Sequence, residues 1–116
     1  MKKLRVVALA FFPLLLLAGC RSALVHATVI NNGTAELRNI EVDYPNASFG
    51  LPVLAPGKQF HYEFQTEDPG KLSVKFEDVK GKSFSAKGPS VGANQQGALV
   101  IELDASGHAV WRPQWK

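Results

Sequence analysis

The sequence predicts an all-β protein, an immunoglobulin-like antiparallel β-sandwich of seven or eight short strands preceded by a cleaved signal peptide. Apolar and polar residues alternate along several short stretches, which is the period of half-buried strands. Turn-forming Gly, Pro, Asn and Asp residues separate these stretches at intervals of roughly eight to twelve residues. At 116 residues, we expect one domain at most.

The first predicted strands lie before residue 45. In residues 25–29, Val and Ala alternate with His and Thr, and the Asn-Asn-Gly sequence at residues 31–33 then forms a turn. In residues 39–44, Ile, Val and Tyr alternate with Asn, Glu and Asp, and Pro45-Asn46 ends that strand. The next segment, Phe-Gly-Leu-Pro at residues 49–52, is predicted to be a short irregular stretch.

The clearest strand covers residues 59–65. The Ala-Pro-Gly sequence before it, at residues 55–57, matches a type II turn with Pro second and Gly third. Within the strand, Phe60, Tyr62 and Phe64 face one side and polar residues face the other. This period of two predicts a half-buried strand.

The next strands follow the same alternation. A turn at residues 68–70 precedes a strand at residues 72–77, and a hairpin turn at residues 78–81 leads to a strand at residues 84–86. Residues 88–97 are predicted to form the longest and most polar loop. Loops on a rigid sandwich often carry binding residues, although this one has no charged or aromatic side chain.

The final part of the chain predicts two more strands. Residues 99–103 alternate, residues 104–107 form a turn, and residues 108–112 form the last strand, followed by a tail that contains Trp115. The aromatic residues expected on the core face are Phe60, Tyr62, Phe64, Phe76 and Phe84, with Trp111 closing the core from the last strand.

The beginning of the sequence has the features of an export signal. Lys2, Lys3 and Arg5 form a positive segment, and residues 6–17 form an apolar run broken by Pro13. A transmembrane helix needs about 20 apolar residues, so this run is too short to span a membrane. Its length fits the apolar region of a signal peptide.

The motif Leu17-Ala18-Gly19-Cys20 closely resembles the lipobox of bacterial lipoproteins. The resemblance implies cleavage before Cys20, an S-diacylglycerol group on its thiol and an N-palmitoyl group on its amine. We therefore expect a signal peptide at residues 1–19, a lipidated cysteine with a short tether at residues 20–22, and the sandwich domain at residues 23–116. The alternative is a buried free thiol that follows an uncleaved anchor.

The expected location is the bacterial cell envelope. In lipoproteins of this kind, Asp directly after the lipidated cysteine often retains the protein in the inner membrane. Here Arg21 follows Cys20, which favours the outer membrane. The expected partners are the membrane, through lipid on Cys20, and another envelope protein.

Three turn motifs carry a second resemblance. Residues 29–35 (Val-Ile-Asn-Asn-Gly-Thr-Ala), 54–57 (Leu-Ala-Pro-Gly) and 69–74 (Pro-Gly-Lys-Leu-Ser-Val) are similar to turns of bacterial cell-adhesion-related immunoglobulin-like domains. The similarity covers residues 27–78, and residues 37–42 equally resemble transthyretin-like modules. The resemblance implies a sandwich fold, and its motifs are structural, so no binding residue is transferred.

The charge balance argues against nucleic-acid binding. The chain has 13 Lys and Arg against 10 Asp and Glu, a net charge of +3. Three of the basic residues, Lys2, Lys3 and Arg5, lie in the predicted signal peptide, and their removal leaves 10 against 10. A neutral domain lacks the basic surface that phosphate groups require.

The histidines and carboxylates give weak signals for chemistry. His26, His61 and His108 stand apart with no metal-ligand spacing, so we expect surface residues and no metal or other cofactor. Two same-face carboxylate pairs could serve acid–base catalysis or calcium binding, but a solvated sheet face with Lys or Arg opposite is expected. These pairs are Glu41 with Asp43 and Glu102 with Asp104.

These observations predict a lipid-anchored, non-catalytic envelope module that binds protein or has a structural role. The serines of residues 83–90 lack the G-x-S-x-G elbow, so no enzyme is expected. The alternative is a small-ligand or glycan-binding lipoprotein that uses Trp115 and the loop at residues 88–97. Trp115 could instead cover one end of the sandwich.

Overall fold

The computed structural model describes residues 23–116, whose regular secondary structure consists entirely of β-strands. The strands are β1 (Val25–Asn31), β2 (Leu37–Tyr44), β3 (Ala47–Leu54), β4 (Gln59–Phe64), β5 (Gly70–Glu77), β6 (Ser83–Val91), β7 (Gly97–Leu103) and β8 (Ala109–Trp115). This arrangement confirms the predicted all-β sandwich, with eight strands. The predicted signal peptide and the predicted lipidation site Cys20 lie outside the described residues.

The strands form two four-stranded sheets. One sheet has the order β4-β1-β7-β8 and the other has the order β3-β2-β5-β6. Within residues 23–116, all strand pairs are antiparallel except β1 with β7, which is parallel and places Val25 opposite Gly97. The sandwich is thus antiparallel with one parallel pair, because β1 and β7 begin at the same end.

The strand directions define two ends of the sandwich, which we name proximal and distal. The proximal end contains the start of β1, the end of β8 and the connections at residues 45–46, 65–69 and 92–96. The distal end contains the connections at residues 32–36, 55–58, 78–82 and 104–108. Val25 and Trp115 both pair with Gly97, so the beginning and the end of the domain are adjacent.

The core lies between the sheets and is built from alternate residues of each strand. In β1 and β7 every second residue is fully buried. In β5 the buried residues are Leu72, Val74 and Phe76. Each such side chain stabilises the fold by about 1.5–3 kcal/mol relative to an exposed position. The alternation predicted from the sequence in these three strands is confirmed.

Strand β3 corrects the prediction of an irregular stretch at residues 49–52. Residues 47–54 form a strand although they contain Gly50 and Pro52. Both residue types are rare inside strands, but both are tolerated in an edge strand. A Cβ atom at Gly50 would collide with the Ile40 carbonyl, so glycine allows the two strands to approach. Opposite Pro52, Asn39 adopts a positive φ of 48° where the register of β2 with β5 shifts.

The predicted loop at residues 88–97 and the predicted tail after residue 112 are also corrected. Strand β6 continues to Val91, which is buried, and β7 begins at Gly97, so the loop is reduced to residues 92–96. Strand β8 continues through Pro113 to Trp115. Pro89 in β6 and Pro113 in β8 interrupt the alternation of apolar and polar residues. Both strands lie at sheet edges, where proline is tolerated.

Several predicted turns are confirmed. Gly57 has a φ of 76°, and Lys58 N–H donates to the Ala55 carbonyl at 3.1 Å, as a type II turn requires. Asn46 has a φ of 81° in the tight connection between β2 and β3. In the β5–β6 hairpin, the Asp78 carboxylate accepts the N–H groups of Lys80 and Lys82, both at 2.9 Å.

Candidate functional site

The four edge strands of the sandwich differ in how they are protected. Edge strands expose unpaired backbone groups that can pair with another chain, and proline is a common means of preventing this. Pro52 lies in β3, Pro89 in β6 and Pro113 in β8. Among the edge strands of residues 23–116, β4 alone contains no proline. The free edge of β4 is therefore the candidate site.

The free backbone groups of β4 follow from its register with β1. Asn31 N–H donates to the Lys58 carbonyl at 3.0 Å, which continues the register of β1 with β4 by one residue. Hydrogen-bonded and non-hydrogen-bonded pairs alternate along antiparallel strands. By this alternation Gln59, His61 and Glu63 direct their N–H and C=O groups away from β1. These three residues could pair with an added strand.

The outer side chains of β4 form a polar surface with those of β1. His61 Nδ1 lies 2.9 Å from Thr28 Oγ1, and His61 Nε2 lies 3.2 Å from Gln59 Nε2. His26 Nδ1 lies 3.6 Å from the Glu63 carboxylate, and both side chains are exposed. Of the predicted histidines, the structure thus brings His26 and His61 to the β1–β4 surface.

The inner side of β4 contributes to an aromatic cluster on the open flank between β3 and β4. We call this cluster the aromatic seam; its members are Tyr44, Phe49, Phe60, Tyr62 and Phe64. The rings of Phe49 and Tyr62 stack at 4.3 Å, as do those of Tyr44 and Phe64. Offset or stacked aromatic pairs contribute about 0.5–1.5 kcal/mol beyond their buried area.

The prediction that Phe60, Tyr62 and Phe64 face the core is confirmed for Phe60 and Phe64 and corrected for Tyr62. Phe64 is buried, Phe60 is half-buried, and Tyr62 is 38% exposed. Tyr62 is exposed because β4 and β3 are the edge strands of their two sheets on the same flank. No further strand of residues 23–116 covers the rings there. Along the chain, Tyr62 stands between His61 and Glu63, whose backbone groups face away from β1.

The phenol of Tyr44 is perturbed by its place in the aromatic seam. Burial raises the pKa of Tyr44 above its ordinary value, and the neighbouring Tyr62 raises it further, because a second phenolate nearby would repel the first. The aromatic rings of the seam and the free backbone edge together suit an extended segment that carries apolar side chains.

Trp115 lies at the proximal end of β8, where its half-buried ring packs against the core cluster, as expected if it covers one end of the sandwich, and also lines a groove. The groove has a volume of about 800 Å³ and includes Leu24, His26, Gln96, Trp115 and Lys116. Two residues of the predicted 88–97 loop, Gln96 and Gly97, line the groove. The remaining loop residues do not line it, because residues 88–91 belong to β6 and residues 92–95 fold over Thr66.

Trp111, predicted to close the core, is half-buried and packs against the core cluster. A Cβ atom at Gly88 would lie 2.7 Å from its ring, so glycine makes room for the indole. Its Nε1 is buried and has no hydrogen-bond partner among residues 23–116.

The predicted carboxylate pairs are held by separate cross-strand partners. Glu41 lies 3.9 Å from Lys75, and Glu102 lies 3.0 Å from Arg112. Asp43 accepts a hydrogen bond from Ser73 at 3.4 Å. In the part of the chain that the structure describes, no three His, Cys, Asp or Glu side chains are grouped to hold a metal ion.

Asp104 accepts several hydrogen bonds within the distal turn at residues 104–108. Partial burial acts to raise its pKa, but hydrogen bonds from the backbone N–H groups of His108 and Ser106 and from the His108 ring outweigh it. The net result is a pKa below the ordinary value. Asp104 therefore closes the turn before β8 as a carboxylate.

The predicted serines lie on the sheet that contains β5 and β6. Ser83 and Ser85 line an open depression of about 450 Å³ together with Asn39 and Glu41. No histidine lines this depression. Across residues 23–116, no helix has the length and apolar character needed to cross a membrane.

The architecture defines the chain as an all-β protein with a two-sheet sandwich. No family model matches the sequence, and no curated protein matches it. Among solved structures, the NMR structure of a protein from Eubacterium rectale is similar to this chain. The similarity covers 81% of this chain and 91% of that chain, with a TM-score of 0.57 and 15% sequence identity. At this identity the likeness supports the fold alone.

The residue pattern of the sequence does not reveal the β4 edge as a site. The alternation of Phe60, Tyr62 and Phe64 predicts β4, but Gly50 and Pro52 obscure β3, the strand that contains the stacking partner Phe49. A usable signal was present: Pro52, Pro89 and Pro113 fall in three strands and none falls in residues 59–64. Assigning those strands to sheet edges required the structure.

Proposed function

We propose that the chain is a lipid-anchored, non-catalytic module of the bacterial cell envelope that binds another envelope protein by strand addition to β4. The observation that carries the binding proposal is the missing proline in β4, in contrast to the other three edge strands. A partner strand would pair with the outward backbone groups of Gln59, His61 and Glu63.

The anchoring proposal is supported by the residues before the domain. Leu17-Ala18-Gly19-Cys20 provides an aliphatic residue, two small residues and the cysteine that a lipobox requires. Cys20 would carry the lipid, and two or three acyl chains hold a protein firmly where one binds marginally. Arg21 after Cys20 supports an outer-membrane location.

The binding proposal is consistent with the energetics of strand addition. Each new backbone hydrogen bond contributes about 0.5–1.5 kcal/mol net, so a few of them give weak binding by themselves. Apolar side chains of the added strand would bury the exposed edge of Tyr62, which adds to the affinity. We therefore expect the partner to present an extended segment with alternating apolar residues.

The test replaces one residue of β4 in the full-length lipoprotein. In His61→Pro the outward N–H is lost, while the hydrogen bonds to β1 remain, since they are made by the neighbouring residues. In the matched control, His61→Ala, the side chain is lost but the N–H remains. Captured proteins from native-host membranes are quantified by mass spectrometry for both variants and the parent.

We expect an envelope protein that the parent and His61→Ala capture equally and that His61→Pro loses by at least about tenfold, or about 1.4 kcal/mol. Matching circular dichroism spectra of the variants would verify that each is folded. Equal capture by His61→Pro and His61→Ala would disprove strand addition at β4. The anchor is tested separately, since an intact-mass measurement showing an unmodified Cys20 would reject it.

A second candidate function is small-ligand or glycan binding by Trp115. The proximal groove favours it, because it combines an aromatic ring with the polar side chains of Gln96 and Gln114. Soluble glycans of the envelope that change the fluorescence of Trp115 in the absence of membranes would support this candidate.

A further inference from the structure

The proximal end of the sandwich lies close to the predicted lipid. Gly97 N–H donates to the Leu24 carbonyl at 3.3 Å, and Lys116 N–H donates to the Gln96 carbonyl at 3.0 Å. The start of β1 and the end of β8 are thereby fixed on either side of the start of β7. Any anchor attached before residue 23 therefore approaches the domain beside Trp115.

The reach of the anchor is short. Three residues, 20–22, separate the described domain from the cleavage site predicted by the lipobox. A fully extended chain spans about 3.3–3.6 Å per residue, so Cys20 lies within roughly 10 Å of Ala23. A bilayer that holds the lipid of Cys20 must therefore come close to the proximal groove.

The residues of the groove suit a membrane surface. Trp115 is half-buried and Leu24 is partly exposed, while His26 and Lys116 add basic groups. Tryptophan is enriched at the headgroup level of membranes because its ring is apolar and its N–H is polar. Lysine extends its charged end toward phosphate while its alkyl chain covers apolar surface.

Among residues 23–116, no Asp or Glu side chain lines the groove, so none repels lipid phosphate there. Glu67 and Asp68 lie in the β4–β5 connection at the same end, and neither lines the groove. Asp68 is occupied by Asn46, whose side-chain amide donates to it at 2.8 Å. Glu63 faces His26 at 3.6 Å and offsets part of its charge when the ring is protonated.

We infer that the proximal groove rests on the phospholipid headgroups of the membrane that holds the anchor, with Trp115 at headgroup depth and Lys116 against lipid phosphate. This inference rests on the proposed lipidation of Cys20. It adds a second contact to the anchor, and it fixes the orientation of the domain relative to the membrane. The distal turns then point away from the bilayer.

The experiment uses the lipidated protein in vesicles of phosphatidylethanolamine and phosphatidylglycerol, prepared with or without bromine on the upper acyl chains. Bromine quenches nearby tryptophans. In Trp111→Phe the remaining tryptophan is Trp115, and we expect it to lose about half of its emission. In the matched variant Trp115→Phe, the remaining Trp111 pairs with Ile101, four residues farther from the proximal end than Trp115, and should be unchanged.

Equal quenching in the two variants, or none in either, would overturn the inference. A response of Trp115 to soluble glycan but not to brominated lipid would also overturn it and favour ligand binding. Intact mass is measured on the same samples, so an unlipidated Cys20 identifies failure of the anchor, whereas a lipidated protein without quenching identifies failure of the headgroup contact.

A second measurement avoids any dependence on the folding of Trp111→Phe. In the parent protein, hydroxyl-radical labelling of Trp115 is compared between vesicles and the unlipidated Cys20→Ser form in solution. We expect labelling of Trp115 to fall at least about threefold in vesicles, because headgroups cover the ring. Labelling of Val79, which is 46% exposed at the distal end, serves as the internal control and should not change.

Discussion

At the residue scale, a few polar side chains hold the connections that the sheets leave free. Asn31 is fully buried, and its amide nitrogen donates to the carbonyls of Ala35 and Leu54, each at 2.9 Å. Its Oδ1 accepts the N–H of Gly33 at 3.0 Å. Every hydrogen-bonding group of this amide is therefore satisfied by the distal connections, as a buried polar side chain requires.

Thr66 performs the same task at the proximal end. Its hydroxyl donates to the Gly92 carbonyl at 2.8 Å and accepts the N–H of Gln95 at 2.9 Å, while Asn94 N–H donates to the Thr66 carbonyl at 2.7 Å. The short 92–96 connection is therefore fixed to the β4–β5 connection. This bracing keeps Gln96 and the groove beside Trp115 in place.

Asp104 makes the free energy of unfolding of the domain depend on pH in the acidic range. Its pKa in the folded state lies below the ordinary value of 3.8, so the unfolded chain binds a proton more readily. The carboxylate therefore stabilises the fold above the unfolded pKa, and this contribution disappears as the pH falls through the folded pKa. In Asp104→Asn we expect a melting temperature that changes less than that of the parent over this acidic range.

The measurement is thermal unfolding at a series of acidic pH values, together with an NMR titration of Asp104. Glu67→Gln provides a matched control, because it makes the same carboxylate-to-amide change at an exposed loop position. An Asp104 titration midpoint at or above 3.8 would contradict the assignment. A parent and an Asp104→Asn variant with the same slope would contradict it as well.

At the element scale, prolines determine which edges of the sandwich are open. Lys116 N–H donates to the Gln96 carbonyl, so alternation along β7 and β8 places the nitrogen of Pro113 away from β7. Pro113 thus removes a donor from the free edge without disturbing the sheet. Pro89 lies where the register of β6 with β5 shifts, which also disrupts an edge.

Replacement of Pro113 should open a second edge. In Pro113→Thr an outward N–H is restored on β8, and threonine favours strands, so we expect stronger concentration-dependent self-association than in the parent. Sedimentation velocity over a range of concentrations measures it. Gln114→Thr is the matched control, because it adds the same side chain to β8 without adding a donor. A Pro113→Thr variant that stays as monomeric as the control would contradict the role of this proline.

The same prolines explain how much of the fold the sequence predicted. Residues 25–29, 72–77 and 99–103 alternate without interruption because they face the core along their whole length, and their strands were predicted. Strand β3 was missed because edge strands accept Gly50 and Pro52, which sequence rules treat as breaks. Trp115 was assigned to a tail for the same reason, since Pro113 precedes it in an edge strand.

The candidate site was less predictable than the core for a physical reason. A free edge is defined by the absence of a neighbouring strand, and strand order depends on pairing between distant parts of the chain. Residues 59–64 pair with residues 25–30 and leave their other side open, which local alternation does not reveal. The stack of Phe49 on Tyr62 likewise joins the two sheets. The alternation of residues within one strand does not show which strand of the other sheet lies opposite.

At the scale of the whole molecule, the proposed anchor and the strand directions together would set the height of the domain above the membrane. Both the start of β1 and the end of β8 lie at the proximal end, and β6 alone contains nine residues. At about 3.3 Å per residue, this strand spans roughly 30 Å. A domain that stands on its proximal groove would hold the β5–β6 turn about that far from the headgroups.

This geometry predicts two different distances to the bilayer. When the Cys20 thiol carries the proposed lipid, Val79→Cys in the distal turn and Ala93→Cys in the proximal connection each add one reactive thiol for a fluorophore; both parent residues are exposed. Energy transfer to acceptor-labelled lipids should place residue 93 near the headgroups and residue 79 roughly 25–30 Å farther away, about one strand length. Equal transfer from both positions would mean that the domain lies on its side or tumbles, and would exclude upright standing. Because β4 runs from the distal to the proximal end, an upright domain keeps its free edge open along its full length, whereas a domain lying on that flank would cover it.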